Sequence, residues 1–172
     1  MARSPSNLNG LVSSCWVFQR CCYFAQAFTL QNWLAGPAGI IGFGTLYLLR
    51  VAREEALHFE LLRDHLATLG HRYGDFDAHD GLWQMAEKTR HDCLQRMALV
   101  PRLLEARGLD VTPGMIELFD RAGDPDTRAA LEVIYAEEVG HVAYGSKWFN
   151  WLCGREGFDP KDKFHELVRT YF

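Results

Sequence analysis

Residues 135–149 read YAEEVGHVAYGSKWF, which sets Glu137, Glu138 and His141 among small and aromatic residues. Residues 51–62, VAREEALHFELL, repeat the arrangement with Glu54, Glu55 and His58. Side chains three residues apart lie on one face of an α-helix and can converge. If both stretches are helical, Glu55 with His58 and Glu138 with His141 each bring a carboxylate beside an imidazole. The periodicity around them says that they are helical.

From about residue 45, Leu48, Val51, Leu57, Leu61 and Leu62 form an apolar stripe at helical spacing, with Ala52 at its edge. Arg53, Glu60, Arg63 and Asp64 fall mostly off that stripe, and Gly70 ends the helix. Residues 70–81, GHRYGDFDAHDG, are a loop punctuated by glycine and aspartate. Residues 82–107 carry a second long helical pattern, kinked at Pro101 where the ring removes a backbone donor. GLDVTPG then breaks the pattern: Gly108 is a C-cap, Thr112 an N-cap and Pro113 a first-turn residue. A short helix, MIELFDRAG, follows. Asp124-Pro125 opens a long helix over 125–152, ended by Gly154 and Gly157, and Asp159 caps a last helix. No strand-like alternation occurs, so the fold class is all-α.

A carboxylate oxygen and an imidazole nitrogen on one helix face suit a first-row transition metal. One such pair from each of two helices, with a single Glu from each of two others, builds a di-metal site in a bundle core. A single Glu-x-x-His is common on solvated helix faces; two copies on separate helices, each with apolar neighbours, are not. An unpaired buried carboxylate costs several kcal/mol, which coordination offsets. In an antiparallel helix hairpin, positions at one height are separated by about 30–35 residues. Counting back from Glu138 by that amount reaches Glu105, flanked by Leu103, Leu104 and Leu109, with GLDVTPG as a break in the arm. Glu87 is the fallback, although its place in a first helical turn is explained by the dipole alone. The same count from Glu55 reaches Cys22, and no acid exists there or further upstream.

The chain has 172 residues, enough for one domain with a core of its own. Its formal net charge of -4 argues against a general nucleic-acid surface. Cys15, Cys21, Cys22, Cys93 and Cys153 show neither zinc-ribbon nor disulfide spacing and read as reduced thiols in an intracellular compartment. No Asp, Glu or His precedes Glu54, and no charge lies between Arg20 and Arg50. Three readings of that start compete: a bilayer-spanning stretch at 30–49, weakened by its glycines and Pro37; a transit peptide; or a buried first helix and connection, alternatively an N-terminus that does not belong to the fold. Asp92 is read either as a partner orienting a ligating imidazole or as an exposed helical acid. Tyr135 and Tyr144 are read as core or as an electron relay, and Trp83, Trp148 and Trp151 as core.

EEALHFELL, GDFDAHDGLW, RMALVPRLLEARGLDVTP and EEVGHVAYGSKWF, in that order, resemble the ferritin-like proteins of domain-of-unknown-function family 455 over about residues 47–172. The resemblance implies a ferritin-like four-helix bundle with an additional C-terminal helix, preceded by an atypical segment over 1–46. It implies a pair of metal ions, iron or alternatively manganese, with Glu55, His58, Glu105, Glu138 and His141 as ligands. Glu55 and Glu138 are the expected bridges, His58 and His141 the terminal nitrogen ligands and Glu105 a terminal oxygen ligand. The family's first helix normally adds acidic and histidine residues that SSCWVFQRCCYFAQAF lacks, leaving solvent or Cys22 for the sixth position. The expected activity is that of an oxidoreductase using O2 or peroxide on a small-molecule substrate. A modified nucleoside in RNA is a less favoured substrate, and a non-catalytic scaffold or metal store is the alternative. A cytoplasmic protein, with a homodimer admitted, completes the expectation.

Overall fold

A computed structural model describes residues 41–77 and 79–172. Among the described residues there are helices, turns and loops but no strand, so the chain is all-α as expected. Residues 1–40, on which the competing readings of the start mostly rest, lie outside the described residues, with Cys15, Cys21 and Cys22; residues 41–49 of the 30–49 stretch are helical. No helix among the described residues is long and apolar enough to cross a membrane. The chain divides into two compact units, Met1–Gln84 and Met85–Phe172.

In the first unit, α1 spans Ile41–Thr68. Its buried positions are Ala52, Glu55, His58, Leu62 and Leu66, which recur at steps of three and four along one face. The expected leucine stripe is therefore misplaced. Leu57 and Leu61 are 46% and 38% exposed, because a face centred on Glu55 and Leu62 turns them to the opposite side. Gly70, at φ +83°, lets the chain turn out of the helix while the His71 N–H donates to the Leu66 carbonyl at 3.2 Å. The following loop is held by rings: Phe59 meets Tyr73 edge-on at 5.4 Å, and His71 meets Phe76 at 4.8 Å.

The boundary between the units falls inside the short helix α2, Gly81–Lys88. The second long pattern is not one helix: residues 89–92 interrupt it before α3, Cys93–Leu99. Asp92 is the N-cap of α3, accepting from the Gln95 N–H at 3.1 Å, so neither reading offered for it holds. Arg96 is buried and closes the gap. Its Nε donates to Thr89 Oγ1 at 2.8 Å, and its guanidinium also donates to the Ala86 carbonyl at the end of α2.

Beyond α3 the chain stays helical to Arg121. Val100–Glu105 form a π-helical turn and Ala106–Arg121 form α4. The wider turn, in which the Ala106 N–H donates to the Pro101 carbonyl five residues back, accommodates the proline at the kink position within the continuing helix. GLDVTPG is no break. Gly108, Thr112 and Pro113 are all inside α4, Pro113 and Gly114 are exposed, and Thr112 Oγ1 donates back to the Gly108 carbonyl at 2.7 Å. Packing along α5 has overridden local propensity.

Residues 122–124 reverse the chain, with Gly123 at φ +69°. Asp124 then caps α5, Pro125–Glu156, accepting from both the backbone N–H and the hydroxyl of Thr127. The arm α3–π–α4 and helix α5 form an antiparallel hairpin. A last helix, α6, Pro160–Tyr171, is capped by Asp159 and folds back onto α3 and α5. Arg102 fastens it, its guanidinium lying 4.8 Å from the Phe149 ring centroid and 4.9 Å from that of Phe164.

Candidate metal centre

On α1, Glu55 and His58 retain 6% and 1% exposure. The stretch around them, VAREEALHFELL, is helical because the apolar and small residues recur at helical period and no glycine or proline interrupts it. The imidazole Nδ1 of His58 stands 3.9 Å from Glu55 Oε2. Glu54, next along the chain, points elsewhere and pairs with Arg50 at 2.6 Å.

On α5, Glu138 and His141 retain 8% and 3% exposure. They sit midway along the buried face that runs through Ala130, Ile134, Gly145 and Phe149. His141 Nδ1 stands 3.5 Å from Glu138 Oε2. Both Glu138 oxygens and the Nδ1 atoms of His58 and His141 are sealed from solvent.

Two donor atoms that each lie about 2.1 Å from one ion are at most about 4.2 Å apart. Both carboxylate–imidazole separations fall inside that limit. Each pair also couples a hard oxygen donor with an imidazole nitrogen, the set that iron or manganese accepts. The donors present therefore fit a first-row metal ion at each pair.

Glu105 belongs to the same unit as Glu138 and His141, at the end of the π-helical turn, and is half-buried. A close contact sets its height. A Cβ added at Gly145 would overlap the Cβ and Cγ of Pro101, so those residues touch across the hairpin. Four residues from that contact toward the reversing turn, one arm reaches Glu105 and the other reaches His141. The π-helical turn ends at this level, and its extra residue rotates the helical face presented by α4.

Gly145 has no part in the spacing argument, although a glycine within a long helix costs about 1 kcal/mol and so flags a close backbone approach. Arg102 and the buried Arg96 were also missed, and no spacing rule would have found them. His79, His91 and His165 are exposed, and His71 is half-buried in the loop. Glu87, the fallback ligand, is exposed. Cys22 lies outside the described residues. Trp151, expected in the core, is 37% exposed.

The family described as "Protein of unknown function (DUF455)" matches residues 46–172. An "Uncharacterized protein" of Haemophilus influenzae (strain ATCC 51907 / DSM 11121 / KW20 / Rd) is 50% identical over 123 residues, covering 72% of this chain and 43% of that protein. The chain thus spans less than half the length of this relative. No solved structure matches.

Proposed function

We propose that this chain, which belongs to the family of proteins of unknown function DUF455, is a ferritin-like metal-binding protein acting as an O2- or peroxide-dependent di-iron oxidoreductase. One observation carries the reading: a carboxylate and an imidazole buried side by side on one helix face, twice, as Glu55 with His58 and Glu138 with His141. Burying these acids without a cation would cost several kcal/mol each. A carboxylate with an imidazole on one buried face, on α1 and again on α5, is a donor set suited to iron or manganese.

Glu55 with His58, and Glu138 with His141, would each hold metal, with Glu105 as a further oxygen donor in the unit of the second pair. Iron (or manganese) held there supplies the one-electron redox steps that dioxygen and peroxide chemistry requires. The protein's part is to exclude water, as the sealed Nδ1 atoms and Glu138 oxygens do. A small-molecule substrate suits the acidic net charge of -4 better than a large RNA does.

A metal store or non-catalytic scaffold is the second reading, because the two pairs with Glu105 make five donors where a di-metal bundle site uses six. Elemental analysis combined with dioxygen uptake by the reduced protein separates the two. Bound iron with uptake supports the oxidoreductase. Bound iron without uptake supports the store, and a folded protein that binds no iron or manganese overturns both metal readings.

A further inference from the structure

Helix α5 does not end its chemistry at His141. Three, seven and ten residues further on it carries Tyr144, Trp148 and Trp151, spacings that keep all of them on the same side of the helix as His141. The rings touch in sequence. Tyr144 and Trp148 have centroids 5.7 Å apart at 70°, and Trp148 and Trp151 are 5.3 Å apart at 78°. Both are edge-to-face contacts within the range of favourable aromatic pairs. Burial is graded along the row. Tyr144 and Trp148 are half-buried, the indole nitrogen of Trp148 is sealed from solvent, and Trp151 is 37% exposed.

Phenol and indole are the aromatic side chains that give up a single electron most readily. Here they form a row of ring contacts that begins three residues beyond His141 and ends at the surface. We propose that Tyr144, Trp148 and Trp151 conduct single electrons between the Glu138–His141 pair and the protein surface. The proposal rests on the reading of that pair as part of a redox metal site.

The electron balance is simple. With iron or manganese held at the pair and oxidised by dioxygen or peroxide, Tyr144 would give the metal one electron and release its phenolic proton. Trp148 returns the electron, the phenol regains a proton, and Trp151 in turn reduces Trp148. An external one-electron donor such as a thiolate then reduces Trp151 and becomes a thiyl radical. The net change is one electron from donor to site. Arg155 shapes the outer end: its guanidinium lies 4.9 Å from the Trp151 ring centroid. That charge disfavours an indole radical cation, so an electron vacancy placed on Trp151 moves inward or is filled from outside.

Flash photolysis of the metal-free protein tests this, with ruthenium tris-bipyridine and persulfate generating the one-electron oxidant. In the wild type the tryptophan-radical absorption should decay as the tyrosyl-radical absorption grows, in a fast phase independent of protein concentration. Trp148→Leu should lose that phase. Tyr144→Phe, which keeps the ring and its packing, should leave the radical on tryptophan. Arg155→Ala should retain the phase and prolong the tryptophan signal that precedes it. Absence of the fast phase from the wild type, or its survival in either Trp148→Leu or Tyr144→Phe, overturns the proposal. Because the measurement needs no metal, such a failure removes the conduit and leaves the metal reading standing. Failure to bind iron with the fast phase intact overturns the metal reading alone.

Discussion

Helices α1 and α5 carry the same four-residue signature in similar burial, and differ in almost everything around it. On α1, the residues three, seven and ten beyond His58 are Leu61, His65 and Thr68, with Leu61 and Thr68 exposed. On α5 the corresponding residues beyond His141 are Tyr144, Trp148 and Trp151, in ring contact from one to the next. Helix α5 also meets its hairpin partner at a glycine against a proline, next to a π-helical turn that ends in Glu105. The difference teaches that a motif repeated for ligation need not be repeated for service. Ligand chemistry asks only for two donors on a face, whereas access, register and electron traffic depend on what each helix packs against.

The largest expected effect tests the likeness of the two pairs. Glu138→Ala and Glu55→Ala should each abolish iron binding, read by elemental analysis, while far-UV circular dichroism shows the helices intact. Full iron loading in one of the two variants would break the equivalence and assign the metal to the other helix alone.

The next effect sharpens the contrast in packing. Gly145→Ala should destabilise by about 1–2 kcal/mol in urea unfolding, because overpacking against Pro101 outweighs the gain in helix propensity. Gly154→Ala, in the same helix with open space around the added Cβ, should have the opposite sign and stabilise by up to about 1 kcal/mol. Equal effects at the two glycines would remove the close contact as the feature that sets α5 apart.

Asp124→Ala should cost about 1 kcal/mol, since the side chain caps α5 through Thr127 and its loss strands helix-end donors. The same urea midpoint reads it. The smallest effect concerns Cys153, a thiol that α1 has no counterpart for. Burial, aided by the nearby Glu156 carboxylate, pushes the Cys153 thiol above its usual 9.0. The folded state thus holds this proton longer than the unfolded chain does. Its contribution is intact below pH 9.0 and is lost as the pH rises through the raised folded value. Cys153→Ala should flatten that alkaline decline.

The parts of the fold that were legible in the sequence are those governed by short-range geometry. Asp124 and Asp159 announce helix starts because a carboxylate accepts from amides only two or three residues away. The pairing of Glu138 with His141 follows from helical pitch. Two readings failed where a distant contact decided. GLDVTPG looks like a break on propensity alone, yet packing along α5 holds Gly108 and Pro113 within one helix. The leucines at 57 and 61 draw a stripe by hydropathy, but the buried face passes through Glu55 and His58.

By itself the sequence determined that the chain is helical, where most helices begin and which acids share a face with which histidines. These follow from the 3.6-residue period and from caps acting over a few residues. Only the tertiary structure decided which face of α1 is buried, that a π-helical turn absorbs Pro101, and that Pro101 meets Gly145 across the hairpin. Burial and register are settled by contacts between residues far apart in the chain, here Pro101 against Gly145, and no local spacing rule contains them.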